Sequence, residues 1–300
     1  MQGSPAQVDS PCRLRKISVT TTVVAPAARV MAGEYDGRAD NGSVRIRLDI
    51  AYLGTSFEGW QAQETFRDGV RPRTVQGELE RALASLEGRH LPVAGAGRTD
   101  SGVHADGQVA HFDAPADGPR IPPDGLRRGL NADLPEDLRV LAASTVPDDF
   151  HARFSAVGKV YLYRLRRGEF LHPHRGLVEA LARERLDVGA MREAACRLVG
   201  RRDFGPFSIT GSDPGSTVRT LARLDVEEDG DLLLIRAVGD GFLRGMMRRL
   251  VGTLREAGRG KTPPEAAPER PGPTAEARGL TLLHVLYPPE SLASDGGTTR

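Results

Sequence analysis

The sequence predicts an α+β fold, and three observations carry that prediction. From Val44 to Tyr52 every even position is bulky and apolar, the period of a half-buried strand. Thr74 and Asp187 each precede an apolar stripe of helical spacing, where a capping residue belongs. Asp229-Gly230 separates two strand-like runs, the signal of a tight hairpin. Strands and helices are mixed and hairpins compete with crossovers, so α+β fits better than a regular α/β alternation.

The elements follow in order. Residues 1–43 are rich in Pro, Ala, Gly and Ser and read as a disordered extension or a misplaced start codon. The basic lead Arg13, Arg15, Lys16 comes late for a signal peptide, and hydroxyls break the apolar run behind it. Order begins with the strand at Val44. Thr74 caps a helix over about 75–87, with Val75, Leu79, Ala82, Leu83 and Leu86 on one stripe. Short strands are expected at Gln108–Asp113, Leu138–Val146 and Lys159–Arg167. Asp187 caps a helix that turns Val188, Met191, Ala195 and Leu198 inward, and Gly200 ends it. Thr217–Glu227 and Leu232–Val238 form the hairpin. A helix is expected over Gly241–Glu256, with Leu243, Met247, Leu250 and Leu254 on one face. Gly279–Tyr287 is the last strand, and 288–300 reads as a disordered tail. A loose strand–helix rhythm recurs over about 44–150 and 151–287, with too little sequence similarity between the two stretches to make a repeat.

Composition excludes several classes of function. The chain has 300 residues, 39% hydrophobic and 27% charged, enough to bury a core without a disulfide or metal staple. Its two cysteines, Cys12 and Cys196, give neither a disulfide framework nor a CxxC site, which suits a reducing compartment. No apolar run is long enough to span a membrane. A net charge of +1 excludes a globally basic nucleic-acid binder but not a local basic face. Between His151 and Arg175, six Arg and Lys residues face only Glu169; between Arg236 and Lys261, seven face only Asp240 and Glu256. In the second run Arg244, Arg248 and Arg255 share one side of the expected helix. Lysine occurs only at 16, 159 and 261, arginine supplying the rest.

The stretch from Gly95 to Gln108 is the candidate for chemistry. It holds four glycines with Arg98, Asp100, His104 and Asp106 and little apolar filling. As a phosphate loop it lacks Gly-Lys-Ser/Thr. Asp100-Ser101-Gly102 matches the bare aspartic-protease tripeptide, whose second carboxylate only a homodimer would supply. His104, Asp106 and His111 offer an incomplete metal set. A purely structural glycine-rich turn, with Asp100 as a cap, is the remaining reading.

The string Ala96-Gly97-Arg98-Thr99-Asp100-Ser101-Gly102-Val103-His104-Ala105, followed by Gly107-Gln108-Val109-Ala110-His111-Phe112, resembles the catalytic motif of the TruA-type tRNA pseudouridine synthases. Further blocks resemble the family in order: Tyr52 with Phe57, Gly59, Trp60 and Gln61; Thr74 to Gly77; Leu130-Asn131 with Leu134-Pro135; Asp148 to Ala156 with Lys159, Tyr161 and Tyr163; and Phe242-Leu243-Arg244 with Met246, Arg248 and Val251-Gly252.

The resemblance implies two ferredoxin-like halves forming one mixed, largely antiparallel sheet with helices packed on it. It implies isomerisation of uridine to pseudouridine in the anticodon stem-loop of tRNA, at positions 38, 39 and 40. It implies a homodimer with no cofactor or metal; composition and the lack of a recognisable targeting segment point to the cytoplasm. Asp100 takes the place of the family's essential aspartate, acting as a nucleophile at C1′ or C6 or as a base on the sugar. A nucleophilic aspartate must stay ionised in a site that excludes water, which a guanidinium close by makes possible, a role the resemblance gives to Arg244. Arg98 would fill the space the uridine vacates, since extruding a base costs a few kcal/mol. Tyr161 would stack on the detached uracil and assist proton removal from C5. Arg248 joins Arg98 and Tyr161 as a substrate-binding residue. The chain departs from the family at Leu53, at Pro206, at Gly245, Met247 and Arg249 around Arg244, and in the short proline-rich stretch 262–273. Those departures keep open a tRNA-binding homologue with impaired catalysis.

Overall fold

The computed structural model describes residues 43–62, 72–115, 118–209 and 215–289, so nearly all of the extension expected over 1–43 and of the tail over 288–300 lies outside the described residues. The first half holds β1 (Val44–Tyr52), α1 (Val75–Glu87), β2 (Ala94–Gly95), β3 (His104–Ala114), α2 (Pro123–Asp133) and β4 (Leu138–Thr145). The second holds β5 (Gly158–Arg167), β6 (Ala180–Ala182), α3 (Val188–Leu198), β7 (Gly200–Asp203), β8 (Val218–Asp229), β9 (Leu232–Gly239), α4 (Met246–Gly258) and β10 (Leu280–Leu286).

All ten strands form one sheet, ordered β4-β1-β3-β10-β5-β9-β8-β7, with β2 added to β3 and β6 to β5. The first half reads β4-β1-β3-β2 and the second β10-β5-β9-β8, every neighbouring pair antiparallel. Each is a βαββαβ unit with its last strand beside its first, the ferredoxin-like arrangement expected above. The halves join where β10 runs parallel to β3, Thr281 opposite His104 and Leu282 opposite Ala105. The same edge of β3 carries β2 further along, at Ala110 and His111. Gly107 sits between the two pairings, where a Cβ would lie 2.4 Å from the Leu283 carbonyl oxygen.

The alternation read from Val44 onward holds: Ile46, Leu48 and Ile50 are fully buried while Arg45, Arg47 and Asp49 are not. They share a core with Leu79 and Leu83 of α1 and Leu126 and Leu130 of α2. Each such side chain contributes roughly 1.5–3 kcal/mol on burial. Thr74 accepts a hydrogen bond from the Gly77 N–H and Asp187 from the Ala190 N–H, so both expected caps form. In the second half α3 and α4 approach closely at Gly258, where a Cβ would lie 2.8 Å from Met191 Cγ.

Several elements differ from the sequence reading: the short strands β2, β6 and β7, of two to four residues, have no counterpart in it. β3 begins at His104 rather than Gln108, because polar residues and Gly107 at the seam hide its alternation. α2 has no counterpart in the sequence reading; its buried stripe is only Leu126 and Leu130, diluted by two glycines. α4 starts at Met246 rather than Gly241, because Gly245 adopts φ 70°, a left-handed conformation that ends helical continuity before it.

Candidate active site

Asp100 lies on the loop from β2 to β3 and opens a tight turn. The Val103 N–H donates to the Asp100 carbonyl at 3.1 Å, and Gly102 takes φ 79° at the position where such a turn needs it. The 54–60 segment clamps this loop from one side. The Trp60 N–H donates to the Thr99 carbonyl at 3.1 Å, and the Ser101 hydroxyl to the Phe57 carbonyl at 3.2 Å. Gly59, at φ 97°, permits the approach: a Cβ there would lie 2.8 Å from the Thr99 oxygen. Beneath the loop, the Tyr52 hydroxyl and Thr99 Oγ1 are 2.8 Å apart, and Gln108 Nε2 donates to the Gly97 carbonyl at 2.9 Å. Burial pushes the Tyr52 phenol up to about 12, so it remains a protonated hydrogen-bonding group. The loop backbone is thus set before any ligand arrives.

The histidines near this loop are committed to the backbone. His104 Nδ1 accepts the Gly54 N–H at 2.9 Å, which leaves the proton on Nε2, 2.9 Å from the Arg278 carbonyl. It therefore staples the 54–60 segment to the end of the second half, and burial lowers its pKa. His111 Nδ1 accepts the Ala152 N–H at 3.2 Å, and burial pushes it down to about 4. Among the described residues no group of three potential ligands converges on a metal position.

The guanidinium that reaches Asp100 comes from Arg248, and this corrects the expectation that Arg244 does so. Arg248 Nη1 lies 3.3 Å from Asp100 Oδ2, and its Nε donates to the Ala275 carbonyl at 2.7 Å. The helix boundary explains the exchange. With α4 beginning only after Gly245, Arg244 falls in the preceding turn and is exposed, while Arg248 sits in the first turn of the helix facing the loop. The Arg244 side chain makes no hydrogen bond or ion pair with the described residues; its carbonyl accepts the Ile209 N–H at 2.9 Å. The Asp100 and Arg248 side chains keep 23% and 20% of their surface exposed, so a ligand can touch both.

Tyr161, on β5, packs edge-on against Phe242 with ring centroids 4.9 Å apart and is 7% exposed. Burial above all, then the nearby Tyr52 and Asp100, pushes its pKa well above the ordinary phenol value. It therefore presents an O–H and not a phenolate near neutral pH. Arg98 is exposed and unpaired among the described residues. The structure thus gathers Asp100, Arg248 and Tyr161 and leaves Arg98 and Arg244 exposed to solvent.

The departures from the family pattern fit one another. A Cβ on Gly245 would lie 2.1 Å from Ile209 Cδ1, so the glycine makes room for the segment that carries Pro206. The proline-rich stretch ends against α4: the Gly272 N–H donates to Thr253 Oγ1 at 2.8 Å, and the Ala275 N–H to the Arg248 carbonyl at 3.1 Å. The role of Ala275 in holding Arg248 is invisible to sequence reading, because the contact is made by a backbone carbonyl. Tyr52, Thr99 and Gln108 could have been noticed together, as polar side chains at the base of a glycine-rich loop.

The family model described as tRNA pseudouridine synthase matches residues 50–155 and 194–288. A tRNA pseudouridine synthase A of Nitratidesulfovibrio vulgaris is 40% identical over 279 residues, covering 81% of this chain and 99% of the relative. The enzymes of that name from Chlamydia trachomatis and Paramagnetospirillum magneticum are 41% and 42% identical, covering 82% and 81% of this chain and 92% and 95% of theirs. An Asp–Arg pair drawn from two ferredoxin-like halves, in a chain matched over most of its length, leads to one conclusion: the chain belongs to the tRNA pseudouridine synthase family.

Proposed function

We propose that this chain isomerises uridine to pseudouridine in the anticodon stem-loop of tRNA, at positions 38, 39 and 40, with Asp100 as the catalytic carboxylate. The observation that carries this reading is the contact of Asp100 with Arg248 on a preformed loop at the seam of the two halves. A carboxylate so placed can add to C1′ of the ribose or C6 of the base, or take a proton from the sugar, while the N-glycosidic bond breaks. Arg248 keeps a positive charge against it in a cleft that substrate would close to water. Tyr161 supplies a face on which the detached uracil stacks, worth about 1–3 kcal/mol, and a protonated O–H. Arg98, exposed on the catalytic loop, would enter the position the extruded nucleotide leaves. Arg244 contacts the RNA strand from the turn before α4. The reaction exchanges bonds within one nucleotide and consumes no second reactant, so the proposal includes no cofactor. The enzyme works as a cytoplasmic homodimer in this reading; among the described residues no helix is long and apolar enough to cross a membrane.

Incubation with unmodified tRNA transcripts, followed by chemical mapping of pseudouridine, tests the proposal. New pseudouridine confined to positions 38–40 supports it. Salt-sensitive tRNA binding without pseudouridine would leave only a binding protein.

A further inference from the structure

Lys159 lies on β5 two residues before Tyr161 and therefore on the same face of the sheet. Its stem crosses the catalytic loop: a Cβ on Gly97 would lie 3.0 Å from Lys159 Cε and 3.6 Å from Nζ. Its partner on β9 is Gly239. Gly97 thus leaves room for an unbranched stem, where the planar head of arginine would need more width. The sequence agrees: lysine stands here although arginine supplies all but three of the 41 basic residues.

The ammonium makes no hydrogen bond or ion pair with any described residue. The charged groups facing it are Arg153 from the segment before β5, Arg219 of β8 and Asp240 after β9, two cations and one acid. Asp240 Oδ1 is already engaged by the Thr220 N–H at 2.9 Å. Arg219 is fixed by the Ser216 carbonyl at 2.9 Å. Burial, then Arg153 and Arg219, push Lys159 down to about 8. A half-buried cation with no ion-pair partner among the described residues, facing two cations against one acid that is already hydrogen-bonded elsewhere, is a poor structural element and a good anion receptor.

We propose that Lys159 anchors an anion subsite, completed by Arg153 and Arg219, that takes a backbone phosphate of the RNA strand beside the extruded nucleotide. The inference rests on the tRNA reading given above. A phosphodiester there would supply the missing negative charge and hold the strand while Tyr161 receives the base.

The test is tRNA affinity as a function of salt and pH, using an unmodified tRNA transcript with wild type, Lys159→Met and Arg219→Gln. Lys159→Met keeps the stem and removes the charge. It should weaken binding about tenfold and lower the slope of log affinity against log salt by about 0.7–0.9, one phosphate contact. Arg219→Gln, at a more accessible position, should lower the same slope even if the first variant folds poorly. Wild-type affinity should fall as pH rises through about 8, where the free ammonium loses its proton, and Lys159→Met should lose that fall. Unchanged slopes and pH profiles in variants that melt like wild type would overturn the subsite. Absence of salt-dependent tRNA binding by the wild type would instead overturn the tRNA reading itself.

Discussion

The Asp100 carboxylate and the Arg248 guanidinium meet at 3.3 Å although 148 positions separate them in the chain. One comes from a loop of the first ferredoxin-like half, the other from a helix of the second. The site therefore exists only when the β3–β10 seam has formed, and it reports on the docking of the two halves as well as on chemistry.

The two candidate arginines are separated by substitution. Arg248→Met should lower single-turnover pseudouridine formation by about 10²-fold or more, the scale of losing one charged group aimed at the reacting centre. Arg244→Ala should leave the chemical step within a few-fold and act mainly on the tRNA concentration needed. The opposite ranking would return the role to Arg244.

That distinction marks the limit of what the sequence made legible. The cap at Thr74, the alternation from Val44 and the Asp229-Gly230 turn are local signals, and each produced the expected element. The Asp100 loop stood out because its glycines and charges make a poor core. The identity of its partner depended on where α4 starts, and one left-handed glycine moved that boundary by five residues, from 241 to 246. The clamp on Arg248 by the Ala275 carbonyl and the staple of His104 to the Arg278 carbonyl use backbone atoms, which any residue type provides.

Tyr161 stays protonated, so its ring and its O–H can be tested apart. Tyr161→Phe should retain tRNA affinity and lower turnover modestly, without shifting the pH profile. Tyr161→Leu removes the stacking face and should cost about 1–3 kcal/mol in transition-state binding, read from kcat/KM. A phenylalanine variant as impaired as the leucine variant would give the hydroxyl a direct part in proton transfer.

The buried Tyr52–Thr99 hydrogen bond fixes the catalytic loop from below. Thr99→Val leaves the Tyr52 hydroxyl with only a long contact to Gln108, 3.4 Å. Thermal or urea unfolding should show a loss of about 1–3 kcal/mol. Turnover below the melting temperature should fall too, because the loop is no longer held. Loss of stability with unchanged turnover would mean that the loop keeps its shape without this bond.

His111 gives the fold a defined sensitivity to acid. Its unfolded pKa is about 6.5, and burial in the folded protein depresses it to about 4. Between those values the unfolded chain binds more protons. Stability should therefore fall as pH drops from about 6.5 to about 4 and change no further from this group below that. The full loss is on the order of 3 kcal/mol. His111→Gln, which can still accept the Ala152 N–H, should flatten denaturant unfolding against pH in that window; an unaltered slope would assign the acid sensitivity to other groups.

Asp100→Asn is the substitution on which the whole reading turns, because it preserves shape and removes only the negative charge. Purified variant and wild type are compared on the same unmodified tRNA transcript, with binding and pseudouridine yield measured in parallel over a full time course. The expected result is tRNA affinity within a few-fold of wild type and pseudouridine formation reduced by at least about 10³-fold. Turnover within tenfold of wild type would contradict the assignment of Asp100 as the catalytic carboxylate.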